Sequence, residues 1–341
     1  MLLTAVVLLV FVAVALGGVR YCRDAGDYLM SRDYTTVMRG LCCVIVVLVH
    51  IPVEHGNPLQ DLAGSFAQVA VTLFFMFSAY GLKWSVDHKE GYLRHFLKNR
   101  ILILMIPYAI IFVTTAAFGL SRGAADFVLV LLLFYAAFYL SYRFLGRWRY
   151  VPDIATCAVV VLYSLSRALN VAGSGWPVEA LGFAAGILLA RFGSVFAARI
   201  TGTYIGVVSS LSVTSLALGV LYLQYKYVWF TGSYLLKIVL NLSLILLLLA
   251  ATTRIRIGNP WSRLLGTISY EVFLSHTAVM GLIERTGIAL SSGVFVLCTF
   301  LGTIALASAL HFVDARVSRR VRNWGSPAAR AEPTTVAEAV E

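Results

Sequence analysis

The chain has 341 residues, of which 60% are hydrophobic and only 13% charged, and its mean hydropathy is +0.86. A soluble domain of this length carries about twice that share of charge, so the composition excludes an ordinary globular protein and points to a polytopic membrane protein. The net charge of +11 calls for no nucleic acid, because basic loops beside anionic lipid account for it.

In chain order, the apolar blocks predict eleven spans, near residues 2–19, 37–53, 62–82, 101–119, 125–141, 150–165, 177–192, 203–222, 232–250, 263–282 and 291–311. The expected fold is an all-α helix bundle in the membrane. Lys and Arg between the spans alternate sharply. Residues 20–36 hold Arg20, Arg23 and Arg32, whereas residues 54–61 hold none. The next loop has Lys83, Lys89, Arg94, Lys98 and Arg100, and the one after it only Arg122. Carried to the end of the chain, one set of loops holds 21 basic residues and the alternate set 4. By the positive-inside rule, the rich loops and the C-terminus are cytoplasmic and the N-terminus is outside, as in a multi-pass inner (cytoplasmic) membrane protein.

MLLTAVVLLV has no charge ahead of its apolar run, unlike the basic start of a cleaved signal peptide, so the first helix is expected to be retained. Residues 1–32 are then an extra helix and its basic loop, 33–315 the main membrane domain, and 316–341 a basic then disordered tail. The five cysteines, mostly inside apolar blocks, form no disulfide framework.

Ionisable groups in apolar helices mark functional sites by default. Arg39 and His50 are the polar residues of MRGLCCVIVVLVH and stand eleven positions apart. That is close to three turns, so they share a helical face and lie roughly 16 Å apart along its axis. The plainer alternative is an arginine reaching the headgroups and a histidine capping the helix. Glu54 falls one turn beyond His50, on the same face if the helix persists past Pro52, where its carboxylate would orient the imidazole. His55 and Asp61 are expected to be solvated.

In VTLFFMFSAYGLKWS, Ser78 and Gly81 would let two helices approach closely. Arg94, Lys98 and Arg100 line the entry to the fourth span, where they would hold phosphates or simply flank a helix end. Pro107 should kink that helix. In GTISYEVFLSHTAVM, Glu271 and His276 are five positions apart, about 140° around the helix, so they cannot both face one narrow site. Ser269 shares the His276 face. Glu179, near the outer start of the seventh span, is a further candidate.

The Arg39-to-His50 spacing, FFMFSAYG, the basic run into MIPYA, GFAAGILLAR and ISYEVFLSH occur in an order that resembles the membrane acyltransferase type 3 family over about residues 33–315. The resemblance implies a ten-helix domain that O-acylates carbohydrates of the cell envelope. It makes His50 the catalytic histidine and Arg39 the arginine required with it, and places Ser78 and His276 in the family's Phe-Phe…Ser-Gly and Ser-Tyr…His motifs. Arg100 matches the first of two arginines before Pro107 and Tyr108. Three departures stand out: Ala79 replaces the glycine after Ser78, no second arginine follows Arg100 before Pro107, and the first helix is extra.

The expected reaction moves an acetyl or other short acyl group from cytosolic acyl-CoA to an envelope or secreted carbohydrate or glycolipid. His50 is the general base, and Arg39, Arg94, Lys98 and Arg100 hold donor phosphates. Ser78, Tyr80, Glu179, Tyr270, Glu271 and His276 would line the substrate path. Acetyl-CoA enters as donor substrate; no permanently bound cofactor and no metal are expected. The alternative is a transporter or flippase of an envelope glycolipid that uses the same buried residues for binding or proton coupling.

Overall fold

The computed structural model describes residues 2–22, 28–119, 125–170 and 175–323. The chain is an all-α bundle. In order, its helices are α1 (Leu2–Leu16), α2 (Arg32–Val49), α3 (Pro58–Gly64), α4 (Ala67–His88), α5 (Leu102–Ala117), α6 (Ala125–Leu145) and α7 (Val151–Leu169). They continue with α8 (Leu181–Gly202), α9 (Tyr204–Tyr225), α10 (Lys237–Thr252), α11 (Pro260–Thr267), α12 (Ser269–Arg285) and α13 (Ser292–Asn323). Among the described residues, seven helical runs are long and apolar enough to cross a membrane, the α3–α4 run counting as one; α1 and α5 are shorter apolar helices.

Three boundaries differ from the sequence expectation for local reasons. The third span is preceded by its own short helix α3, which starts with an Asn57–Gln60 capping box and Pro58 at its first position. The tenth span is two helices, α11 and α12, that meet at Ile268; α11 begins with the same device, Asn259 paired with Ser262 and followed by Pro260. Helix α13 runs on to Asn323, so the stretch after residue 315 begins as helix. Residues 324–341, expected to be disordered, lie outside the described residues. One feature was not expected at all: β1 (Arg20–Tyr21) pairs antiparallel with β2 (Ile255–Arg256).

Helices in a bilayer associate by close packing rather than by leaving water, so small residues decide which ones touch. Gly182 and Gly186, one turn apart in GFAAGILLAR, press α8 onto the backbone of α4. A Cβ on either would stand 2.2 Å from the carbonyl oxygen of Thr72 or Met76. Gly40 of α2 meets Gly266 of α11 in the same way. Gly81 does not: nothing lies within 4 Å of where its Cβ would be, so this glycine opens space instead of bringing helices together. Between the helices, Phe75, Phe134, Phe138 and Phe183 are fully buried.

The additional helix α1 is fastened at both ends. Asn57 donates to the Thr4 hydroxyl (3.0 Å) and to Ser292 of α13 (2.7 Å), while the Asn259 amide caps the Val14 and Gly17 carbonyls. The five cysteines are free.

Candidate active site

Helix α2 starts at Ser31, whose side chain accepts from the Tyr34 N–H, and stops at Val49 with His50 as its C-terminal cap. Ile51 precedes Pro52, and a residue before proline is pushed out of the helical region. The helix therefore does not persist, and the expected role of Glu54 falls with it. Glu54 sits in a separate 3₁₀ turn, Val53–His55, and is exposed. The group that holds the His50 ring is the Val46 carbonyl, 2.7 Å from Nδ1. A carbonyl only accepts, so Nδ1 carries the proton and Nε2 presents a lone pair. His55 is not simply solvated either, since its ring stacks on Phe295 with centroids 3.9 Å apart.

Arg39 lies three turns earlier on the same helix. Its Nε donates to the Thr35 carbonyl (3.1 Å), which turns the guanidinium along the helix into a cavity of about 840 Å³. Arg32, Arg39, Lys89 and Arg100 line this cavity, and among its described lining residues there is no carboxylate. Four converging cations without a counter-charge favour a polyanionic occupant. The Arg100 guanidinium is fixed by the Tyr92 hydroxyl, 2.7 Å from Nε. Ser78, Tyr80 and Tyr270 line the same space, and Gly81 widens it. The Tyr270 hydroxyl also donates to the Leu104 carbonyl (2.8 Å).

Aromatic rings also line the cavity: Phe74, Phe127 and Phe273, with Phe127 and Phe273 centroids 4.6 Å apart and Phe74 and Phe273 6.4 Å apart. One turn beyond Phe273 comes His276, whose ring lies 6.0 Å from that of Phe273 and 4.8 Å, edge to face, from that of His50. The two histidines come from helices far apart in sequence, and neither lines the cavity. His276 is buried, and its Nδ1 faces the Val272 carbonyl at 3.2 Å. Its Nε2 has no hydrogen-bond partner among the described residues. A buried acceptor left in that state costs about 1–3 kcal/mol, and such exceptions concentrate at working sites.

The remaining sequence candidates divide. Arg94 lines a neighbouring cavity of about 700 Å³ together with Lys89 and Arg143, not the cavity of Arg39. The Lys98 side chain lies outside the described residues. Glu271 turns about a third of the way around α12 from His276, as the spacing requires. There it accepts from His311 Nδ1 of α13 (2.7 Å), away from the cavity. Glu179 is ion-paired with Lys237 of α10 (2.7 Å) and does not line the cavity either. The reverse omission is Arg32 and Lys89. In the sequence they were two of many loop cations, and only the fold brings them to Arg39.

The described helices thus hold a cation-lined cavity, with two imidazoles in contact beside Phe273 of its lining. The chain matches the family model of the acyltransferase domain (Acyl_transf_3) over residues 32–125 and 127–312. It belongs to the membrane acyltransferase type 3 family and is an acyltransferase. No curated protein and no solved structure gives a significant match.

Proposed function

We propose that the protein O-acylates a cell-envelope or secreted carbohydrate or glycolipid in the cytoplasmic membrane, with cytosolic acyl-CoA as donor and acetyl as the simplest acyl group. The observation that carries this reading is the cavity itself, lined by four cations and by Phe74, Phe127 and Phe273, with His276 against Phe273 and in contact with His50. The alternation of loop charge supports an orientation with the Arg39 end inside and the His50 end outside. Donor phosphates then rest on Arg39, Arg100, Arg32 and Lys89, and the pantetheine arm runs along α2 toward His50. That arm has to span the roughly 16 Å between Arg39 and His50 that helical rise gives.

At the outer end, a groove of about 490 Å³ opens beside His50, lined by the flanking residues Val49 and Ile51 and by Asn57, Gln60, Asp61 and Ser65. It suits a hydroxyl-rich acceptor. His50 Nε2, with its lone pair free, takes the acceptor's hydroxyl proton as the oxygen attacks the thioester carbonyl, a contribution of ~10²–10⁴-fold in rate. Membrane-reconstituted protein, labelled acetyl-CoA and envelope polysaccharide test the reading. A His50→Ala variant that melts like the wild type should lose transfer by that factor, and one that keeps full transfer refutes the scheme.

A further inference from the structure

We infer that His276 is a second catalytic group, the one that returns the proton to the departing thiol, and that His50 and His276 work as a two-imidazole relay. The inference rests on His50 acting as base.

Three observations lead there. First, each ring has its Nδ1 against a carbonyl one turn back in its own helix, Val46 for His50 and Val272 for His276. Both Nδ1 atoms are therefore donors, and both Nε2 atoms are bare acceptors. Second, the rings touch, with centroids 4.8 Å apart, and His276 Nε2 is otherwise unpartnered. Two bare acceptors side by side gain nothing from each other until one proton arrives, and that proton can then sit on either. Third, the two rings sit in different surroundings. His50 is exposed at the end of α2, whereas His276 is 2% exposed and lies against Phe273, which lines the cation-bearing cavity. His50 is the acceptor-side imidazole and His276 the donor-side one.

The chemistry balances without any further reagent. The acceptor hydroxyl gives its proton to His50 Nε2 while its oxygen forms the new C–O bond. The proton passes to His276 Nε2. When the tetrahedral intermediate collapses, the C–S bond breaks, the electron pair goes to sulfur, and His276 delivers the proton there. The products are the ester and free thiol, and both imidazoles end neutral.

The test varies how much the leaving group needs that proton. His276→Gln and His50→Gln are compared with wild type using acetyl-CoA and S-(4-nitrophenyl) thioacetate, whose aromatic thiolate departs unprotonated. With acetyl-CoA, His276→Gln should lower kcat by ~10²-fold or more at unchanged KM. With the activated thioester most of that deficit should vanish, while His50→Gln stays impaired with both donors. The double variant should be no slower with acetyl-CoA than the worse single one, because a relay is lost once. Equal deficits of His276→Gln with both donors, or independent, multiplying losses in the double variant, overturn the relay but leave His50 as base. Full activity of His50→Gln overturns the base reading itself. If the wild type does not use the aromatic thioester, the double variant alone decides.

Discussion

Lys237 Nζ lies 2.7 Å from Glu179 Oε1, joining α10 to the start of α8 in an ion pair whose carboxylate is only 7% exposed. Removing one member of such a pair leaves a buried charge alone, which costs about 3–5 kcal/mol, whereas replacing both by apolar groups is often nearly neutral. Glu179→Ala should therefore lower the melting temperature in detergent sharply, and Glu179→Leu with Lys237→Met should restore most of it. A Glu179→Ala protein of normal stability but abolished transfer would give the carboxylate back to the substrate path.

Two glycines predict opposite outcomes. A Cβ on Gly266 would stand 1.9 Å from the Thr36 carbonyl oxygen, a backbone atom that cannot step aside. Gly266→Ala should cost about 1–3 kcal/mol or more through overpacking, and should reduce activity as well, because α11 leads directly into the helix of His276. Gly81→Ala meets nothing within 4 Å and should gain up to about 1 kcal/mol from helix propensity. Its methyl group projects into the cavity, so its cost should appear in the KM for the donor. Unfolding curves and donor titrations of both variants check the contrast.

Arg39 is expected to act on binding of the donor's charged end. A lost charge-assisted hydrogen bond is worth about 1.5–3 kcal/mol, so Arg39→Ala should raise KM for acetyl-CoA on the order of 10- to 100-fold. Acetyl-pantetheine, which lacks the nucleotide phosphates, should show a much smaller difference between wild type and variant. Equal penalties for the two donors would mean that the guanidinium does something other than hold phosphate.

At the start of α2, Asp33 and Arg263 make a two-point ion pair, Oδ1 at 2.6 Å from Nε and Oδ2 at 3.0 Å from the second guanidinium nitrogen. The hydrogen bonds from Arg263 hold the Asp33 carboxyl below its ordinary value. A carboxyl depressed on folding adds stability above the pH where it ordinarily titrates, and that stability is lost as pH falls through the folded value. Both side chains are more than a third exposed, so the pair is worth at most about 1 kcal/mol. Asp33→Asn should lower stability by about that amount near neutral pH, and the gap from wild type should close on acidification. Melting curves at several pH values measure it, and a gap that is constant down to the acid limit contradicts the assignment.

Much of the fold is legible from apolar runs, because a helix that crosses lipid must be apolar for its whole length. The break between α11 and α12 is not, since Gly-Thr-Ile-Ser-Tyr carries no proline and no charge to end a helix; only the Asn-Pro start of α11 hints at a separate element. Periodicity separates Glu271 from His276, and the structure gives them different partners, His311 and the Val272 carbonyl; it also puts Arg39 and His50 on one helical face, of which only Arg39 lines the cavity. The His50–His276 contact is invisible to periodicity, because it joins two helices that fold together from opposite ends of the chain. The failure of Glu54 was readable in principle: a proline two positions after His50 stops the turn that its role required.

The cavity lined by Arg32, Arg39, Lys89 and Arg100 has an electrical consequence. With the donor seated as proposed, its phosphates stay at the cations and only the acyl group goes on toward His50. Carrying one elementary charge through 100 mV takes ~2.3 kcal/mol, a cost avoided by leaving the charged end where it is held. The acyl group is neutral and passes without electrical work. Export of the acyl group then draws on thioester energy alone, and turnover need not discharge the gradient of the membrane in which it occurs.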